Sequence, residues 1–191
     1  MASRDRMTAR PDRRAQIELV LFDVDGVLTD GTLLIGPEGE ALKPFNVRDG
    51  VAVGLLRQHG IRSGVLSAKS SQPLITRATQ LGMDVIKIGF SHKLEAIRQI
   101  AEEEGIAADR IAFAGDDIID IPVMREVATA YAPADAHSLV IEAADHVTKA
   151  QGGRGVAREI AEDLLSARGL DLHQMYAHLL GDDDALRRMV Q

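Results

Sequence analysis

The sequence predicts an α/β fold: a Rossmann-like parallel sheet with helices on both faces, a small β-hairpin insertion and no large cap domain. Three observations lead there. Short, near-continuous apolar runs alternate with longer segments of helical periodicity, the pattern of parallel strands buried on both faces. Helical segments stop at Gly60, Gly82, Gly105 and Gly169, where a residue free to turn left-handed closes a helix. Aromatic residues make up only 3% of the 191 residues and hydrophobic residues 46%. Such a core of Val, Ile, Leu and Ala suits helices packed on a sheet better than an aromatic-rich β-sandwich.

Taken in order, residues 1–16 hold five arginines and two aspartates without apolar periodicity and read as a disordered extension. Residues 17–22 are an apolar run ending at Asp23 and read as a buried strand. Residues 32–35 and 40–45 flank Gly36-Pro-Glu-Gly39 and read as a hairpin about a Pro/Gly turn. Asp49-Gly50 opens a helix with Val51, Leu55 and Leu56 on one face. Strands are then expected at 63–66, 84–88 and 110–114, each followed by a helix, at 72–81, 93–104 and 118–127. Short β-like pieces at 129–132 and 146–148 precede a helix at 156–167, so one domain is expected over 17–169. In the tail, 170–191, Leu172, Met175, Tyr176, Leu179 and Leu180 recur at helical spacing before an acidic break, Gly181-Asp-Asp-Asp184.

The composition excludes several function classes. The chain has no cysteine, so disulfides, thiolate zinc sites, iron–sulfur clusters and thiol catalysis are out. Net charge is −7, and the arginine-rich start leaves −10 on residues 17–191. That body attracts cations and does not resemble a nucleic-acid-binding surface. No apolar run approaches the roughly 18 residues of a membrane span, and no apolar segment of signal-peptide type follows the basic start. The expectation is a cytoplasmic protein with no membrane or nucleic-acid partner.

The chemistry concentrates at strand ends. Asp23-Val-Asp25-Gly-Val-Leu-Thr-Asp30 begins where a buried strand stops, and open α/β sheets bind ligands at the carboxyl ends of their strands. Two carboxylates two residues apart resist ionising together unless a cation lies between them, and hard oxygen ligands suit Mg²⁺. A solvated Asx turn would also explain one such motif alone. A second acidic group, Gly115-Asp116-Asp117-Ile-Ile-Asp120, again follows an apolar strand. Helix capping by aspartate would explain it in isolation. Two acidic strand ends in one sheet repel each other without a cation, so together they predict a divalent-metal site. His92, His137 and His146 lack metal-ligand spacing and read as structural or solvated.

In their order along the chain, Asp23-x-Asp-Gly-Val-Leu-Thr-Asp30, a strand ending at Ser67, Lys93 opening a helix and Gly115-Asp-Asp-x-x-Asp120 resemble the haloacid dehalogenase superfamily of phosphatases. Asn46-Val-Arg-Asp-Gly50, Gly115-Asp-Asp-Ile-Ile-Asp-Ile-Pro-Val-Met124, Ala134-Asp-Ala-His137 and Gly152-Gly-Arg-Gly155 are more closely similar to its 3-deoxy-D-manno-octulosonate 8-phosphate phosphatases, with features shared by phosphatases of nine-carbon sugar acids. The resemblance covers residues 17–168. It implies a Mg²⁺-dependent phosphomonoesterase acting on a phosphorylated sugar acid in lipopolysaccharide biosynthesis. Asp23 would be the nucleophile that forms an aspartyl phosphate, and Asp25 the acid and then the base. Mg²⁺ would be held by Asp23, the backbone carbonyl of Asp25 and Asp116. Ser67 and Lys93 would contact the phosphate, while Asp117 and Asp120 orient water or anchor Lys93. Substrate contacts would come from Asp25, Asn46, Val47, Arg48, Asp49, Gly50, Lys69, Arg77 and Lys93. Members without caps assemble as homotetramers in which neighbouring subunits cover the active site, and the hairpin here would form part of that roof.

Two departures bear on the substrate. Ser67-Ala68-Lys69 stands where members usually carry Thr-Gly-Arg, and Gly54 stands where some carry a basic residue. A lysine keeps the charge of arginine but not its planar fork. Two other classes compete. A receiver domain also phosphorylates an aspartate, but its acceptor follows a middle strand rather than the first. A catalytically silent relative, serving oligomerisation or sugar binding, would not need every catalytic position filled, as it is here.

Overall fold

The expected parallel sheet is what forms in the computed structural model, which describes residues 12–181. The strands are β1 (Leu19–Phe22), β2 (Leu34–Gly36), β3 (Gly39–Leu42), β4 (Arg62–Ser67), β5 (Val85–Ile88), β6 (Ile111–Ala114), β7 (Thr129–Ala132) and β8 (His146–Val147). Six of them pair in parallel in the order β5-β4-β1-β6-β7-β8, while β2 and β3 form a separate antiparallel hairpin. The chain leaves β1 toward β4 on one side and returns to β6 on the other. The strand-order reversal therefore falls at β1, and its carboxyl end is where such sheets open a binding crevice.

The helices are α1 (Val47–Gln58), α2 (Gln72–Leu81), α3 (Lys93–Glu104), α4 (Ile121–Glu126), α5 (Ser138–Ala143), α6 (Val156–Ala167) and α7 (Leu172–Gly181). Successive strand residues face opposite ways, so β1 feeds two cores. Val20 and Phe22 pack with Leu55 and Leu56 of α1 and Ile160 and Leu164 of α6. Leu19 and Leu21 pack with Ile97 and Ile100 of α3 and Val123 and Met124 of α4. Among the described residues, no helix is long and apolar enough to cross a membrane.

Several boundaries differ from expectation, each for a local reason. α1 begins at Val47, not Asp49, because the Asn46 side chain accepts from Arg48 N at 2.9 Å and caps it. The helix expected over 118–127 divides into a single tight turn, Ile118–Asp120, and then α4, whose first turn holds Pro122, a residue without an N–H to donate. α5 was not foreseen. It is short, and its cap is His137, whose Nδ1 accepts from Leu139 N at 3.2 Å.

Both ends of the domain reach further than the sequence pattern implied. Residues 12–16, assigned to the extension, include a turn at Arg14–Gln16 that Arg14 ties to Asp163 of α6 at 2.7 Å. α7 docks on α6: Met175 is buried, and the Tyr176 hydroxyl lies between Arg158 and Glu162 at 2.6 and 2.5 Å. The rest of the expected extension, 1–11, and Asp182, Asp183 and Asp184 of the acidic break lie outside the described residues.

Candidate active site

At the end of β1 the ladder continues one residue beyond the strand, with Asp23 N donating to Ala114 O at 2.9 Å. The chain then turns tightly over Val24–Leu28, closed by Thr29 N donating to Val24 O at 3.0 Å. Gly26 sits at φ +90°, and a Cβ there would strike the Asp116 carboxylate. A Cβ on Gly152 would likewise strike the Gly26 carbonyl. The Asp-x-Asp-Gly motif therefore has its glycine where the acidic loop after β6 must approach the backbone. Gly152 closes the same stack from the loop before α6.

Asp120 organises the second acidic loop from a fully buried position. Its Oδ2 accepts from Asp116 N and Asp117 N at 3.1 and 3.4 Å, and its Oδ1 from Lys93 Nζ at 2.6 Å. Lys93, at the start of α3, also lies 2.8 Å from Asp23 Oδ2. One buried ammonium thus bridges a carboxylate after β1 and one after β6. Asp117 is exposed, and its carboxylate accepts from Ile118 N at 2.7 Å, capping the turn that follows.

Oxygens of Asp23, Asp116 and Asp120 lie within 4.8 Å of one another. Among the described residues Lys93 is the cation paired with this cluster, which leaves an excess of negative charge in a desolvated space. Burial pushes the Asp23 carboxyl up to about 7, against the pull of Lys93 and with the help of Asp120. Burial, then Asp23 and Asp120, push Asp116 to about 7 as well. Asp116 Oδ1 is buried without a hydrogen-bond partner. A hard divalent cation between Asp23 and Asp116 fits this donor set, because it supplies the missing charge and the missing partner. The Asp120 oxygens are already occupied by Lys93 and the backbone.

The Asp25 carboxylate turns away from that cluster. Its Oδ1 contacts Lys43 Nζ, and its Oδ2 lies 3.9 Å from Lys69 Nζ. Lys43 follows β3, is buried, and also pairs with Glu40 at 2.7 Å. Burial alone would lower its pKa, but Asp25 and Glu40 outweigh it and raise it. Neither Lys43 nor Glu40 was singled out in the sequence. The available signal was a lone lysine in an otherwise apolar hairpin arm, Ala41-Leu42-Lys43-Pro44-Phe45. Ser67, at the end of β4, is buried, and its Oγ accepts from Lys69 N at 3.2 Å.

The segment expected to hold substrate divides. Asn46 caps α1 and donates through Nδ2 to Gly153 O at 3.1 Å, while Val47 and Arg48 are exposed. Asp49 is buried and faces the start of α6, where Oδ1 accepts from Arg158 N at 3.2 Å. Burial raises its pKa to about 6 against those backbone donors. That is the environment of a helix cap. Gly50 lets α1 approach Arg77 and Leu81 of α2 closely. Asn46, Asp49, Gly50 and Arg77 line a small cleft with Leu28, Phe45, Leu74 and Met83, and none of Asp23, Asp25, Ser67 or Lys93 lines it. A larger groove beside β8, between α6 and α7, holds none of the predicted site residues. Of the histidines, His137 caps α5 and His146 packs against the Tyr131 ring at 5.3 Å.

A family model of haloacid dehalogenase-like hydrolases matches residues 64–160. The chain is 42% identical over 153 residues to the 3-deoxy-D-manno-octulosonate 8-phosphate phosphatase KdsC of Escherichia coli K12, spanning 80% of this chain and 81% of that protein. Among solved structures, the cobalt-bound deoxy-D-mannose-octulosonate 8-phosphate phosphatase of Haemophilus influenzae superposes with a TM-score of 0.83 at 36% identity, covering 87% of this chain and 99% of that one. The 3-deoxy-D-manno-octulosonate 8-phosphate phosphatase of Moraxella catarrhalis, in complex with magnesium, phosphate and KDO, superposes with a TM-score of 0.81 at 30% identity, covering 88% and 94%.

Proposed function

The chain belongs to the haloacid dehalogenase-like hydrolases, and from that premise we propose a divalent-metal-dependent phosphatase of 3-deoxy-D-manno-octulosonate 8-phosphate or a related nonulosonate phosphate. The observation that carries this reading is the meeting of Asp23, Asp116 and Lys93, from three separate segments, at the carboxyl end of the strand where the sheet order reverses. Relatives named for this substrate support its identity.

Asp23, the backbone carbonyl of Asp25 and Asp116 would hold the cation. When bound, it supplies positive charge that neutralises the transferring phosphoryl group. A carboxylate oxygen of Asp23 forms the bond to phosphorus as the bond to the sugar oxygen breaks. Asp25 gives its proton to the departing oxygen. It then takes a proton from the water that attacks the aspartyl phosphate, which releases phosphate and restores Asp23. Lys93 keeps Asp23 oriented and adds a point charge beside the phosphate, and Asp120 holds Lys93 there. The Ser67 hydroxyl donates to a phosphate oxygen.

Lys69 stands at the rim, 55% exposed and beside Asp25 Oδ2, where it can meet the acid group of a sugar. With Mg²⁺ present, phosphate release from 3-deoxy-D-manno-octulosonate 8-phosphate and other phosphorylated sugar acids tests the reading directly. Lys69→Ala should raise KM for the preferred acid phosphate by roughly ten-fold, about 1.4 kcal/mol, and leave p-nitrophenyl phosphate, which has no carboxylate, nearly unchanged. Equal losses on both would mean that Lys69 serves the phosphate or the fold.

We further propose a homotetramer in which the hairpin packs on neighbouring subunits. Ile35 and Leu42 are 67% and 65% exposed on an isolated two-stranded arm, too much apolar surface to leave in water. Light scattering should report four copies; a fully active monomer at micromolar concentration would overturn the assembly.

A further inference from the structure

We propose that Lys43 is the positioning residue for Asp25: it clamps Oδ1 of that carboxylate and so presents Oδ2 to the leaving-group oxygen. The inference rests on the reading of Asp25 as the acid that protonates the departing sugar. The two oxygens of Asp25 have unlike surroundings. Oδ1 contacts an ammonium whose side chain is 1% exposed, while Oδ2 lies 3.9 Å from the ammonium of the half-exposed Lys69. A carboxylate at the end of a short side chain otherwise rotates broadly about its terminal torsion. A single buried donor on one oxygen removes that freedom.

Lys43 is itself held. Besides Asp25, its ammonium has a second ion-pair partner in Glu40, three residues earlier on the hairpin, at 2.7 Å. If Asp25 swung away, a buried ammonium would lose one of its two carboxylate partners and gain no water in exchange. The contact is therefore self-maintaining, and it ties the hairpin to the acid loop. Among the described residues, the ion pairs of Lys43 run to Asp25 and Glu40 and not to Asp23, Asp116 or Asp120. Its effect must travel through the orientation of Asp25, and orientation of an acid against its acceptor changes rate steeply.

That role has a signature which a plain structural ion pair lacks. The protonation it serves matters in proportion to the basicity of the leaving group, and kcat/KM reports only steps up to leaving-group departure. The test uses aryl phosphates of graded leaving-group pKa, from p-nitrophenyl to phenyl, and a simple alkyl phosphate, none bearing a carboxylate. Lys43→Met should lower kcat/KM on the alkyl phosphate by about 100-fold and on p-nitrophenyl phosphate by no more than about five-fold. Glu40→Gln, which leaves the ammonium in place, should give the same steepening more weakly. It carries the test if Lys43→Met melts below assay temperature. Asp25→Asn is the reference and should steepen the dependence most. Equal losses across the series in both hairpin variants, alongside a steep Asp25→Asn, would overturn the role of Lys43 alone. A flat dependence in Asp25→Asn would instead overturn the reading of Asp25, and this inference with it.

Discussion

Asp23→Asn should abolish turnover, by about a thousand-fold or more, while the protein stays folded. The carboxamide is isosteric but cannot attack phosphorus, so the loss removes at least roughly 4 kcal/mol of transition-state stabilisation. The fold should tolerate the change, because burial and Asp120 already oppose the Asp23 charge and offset the lost ion pair with Lys93. Its melting temperature should stay within a few degrees of the wild type. Beryllium fluoride, a mimic of the phosphoryl group, should bind the wild type in the presence of Mg²⁺ and fail to bind the variant. A purified Asp23→Asn protein with more than a few percent of wild-type activity would end the nucleophile assignment.

Removal of metal should silence the enzyme just as completely. EDTA is expected to eliminate activity and Mg²⁺ to restore it, and the same ion should raise the melting temperature. The thermal effect carries a pH signature. The carboxyls of Asp23 and Asp116 are pushed up to about 7, by burial and Asp120 for Asp23 and by burial, Asp23 and Asp120 for Asp116, against 3.8 for a free aspartate. Between those values the metal-free folded state holds more protons than the unfolded chain, so its stability falls as pH rises through that window. A divalent cation competes with the same protons. Its stabilisation should be small near pH 5 and approach about 2.7 kcal/mol near pH 8 when the ion is at a hundred times its dissociation constant. Activity unaffected by EDTA, or a melting shift independent of pH, would remove Asp23 and Asp116 as the metal site.

Much of this architecture was legible along the chain because it is written in short-range patterns. The run 17–22 is apolar at every position but one, and a strand buried on both faces needs nothing else to be recognised. The same holds for Asp23 and Asp116. Each stands where a buried strand stops, and a parallel sheet brings such ends to one edge whatever the connections between them. Caps were harder. Asn46 and His137 act through hydrogen bonds two residues away, and their residue types also occur freely in loops.

By itself, then, the sequence determined the strand–helix alternation, the acidic strand ends and the charge conflict that calls for a cation. All follow from periodicity and Coulomb repulsion among residues whose relative placement a parallel sheet dictates. Tertiary structure decided the partners that neither pattern nor resemblance named. Asp120 anchors Lys93 across 27 residues, as the resemblance implied, whereas Asp49 reaches the start of α6 across 109 and serves there as a cap. Lys43 crosses 18 residues to Asp25 from an arm that reads as merely apolar. The physical reason is common to all three. A buried charge is held by whichever counter-charge or donor is desolvated beside it, and that neighbour is set by how the helices and the hairpin pack, which no local pattern encodes.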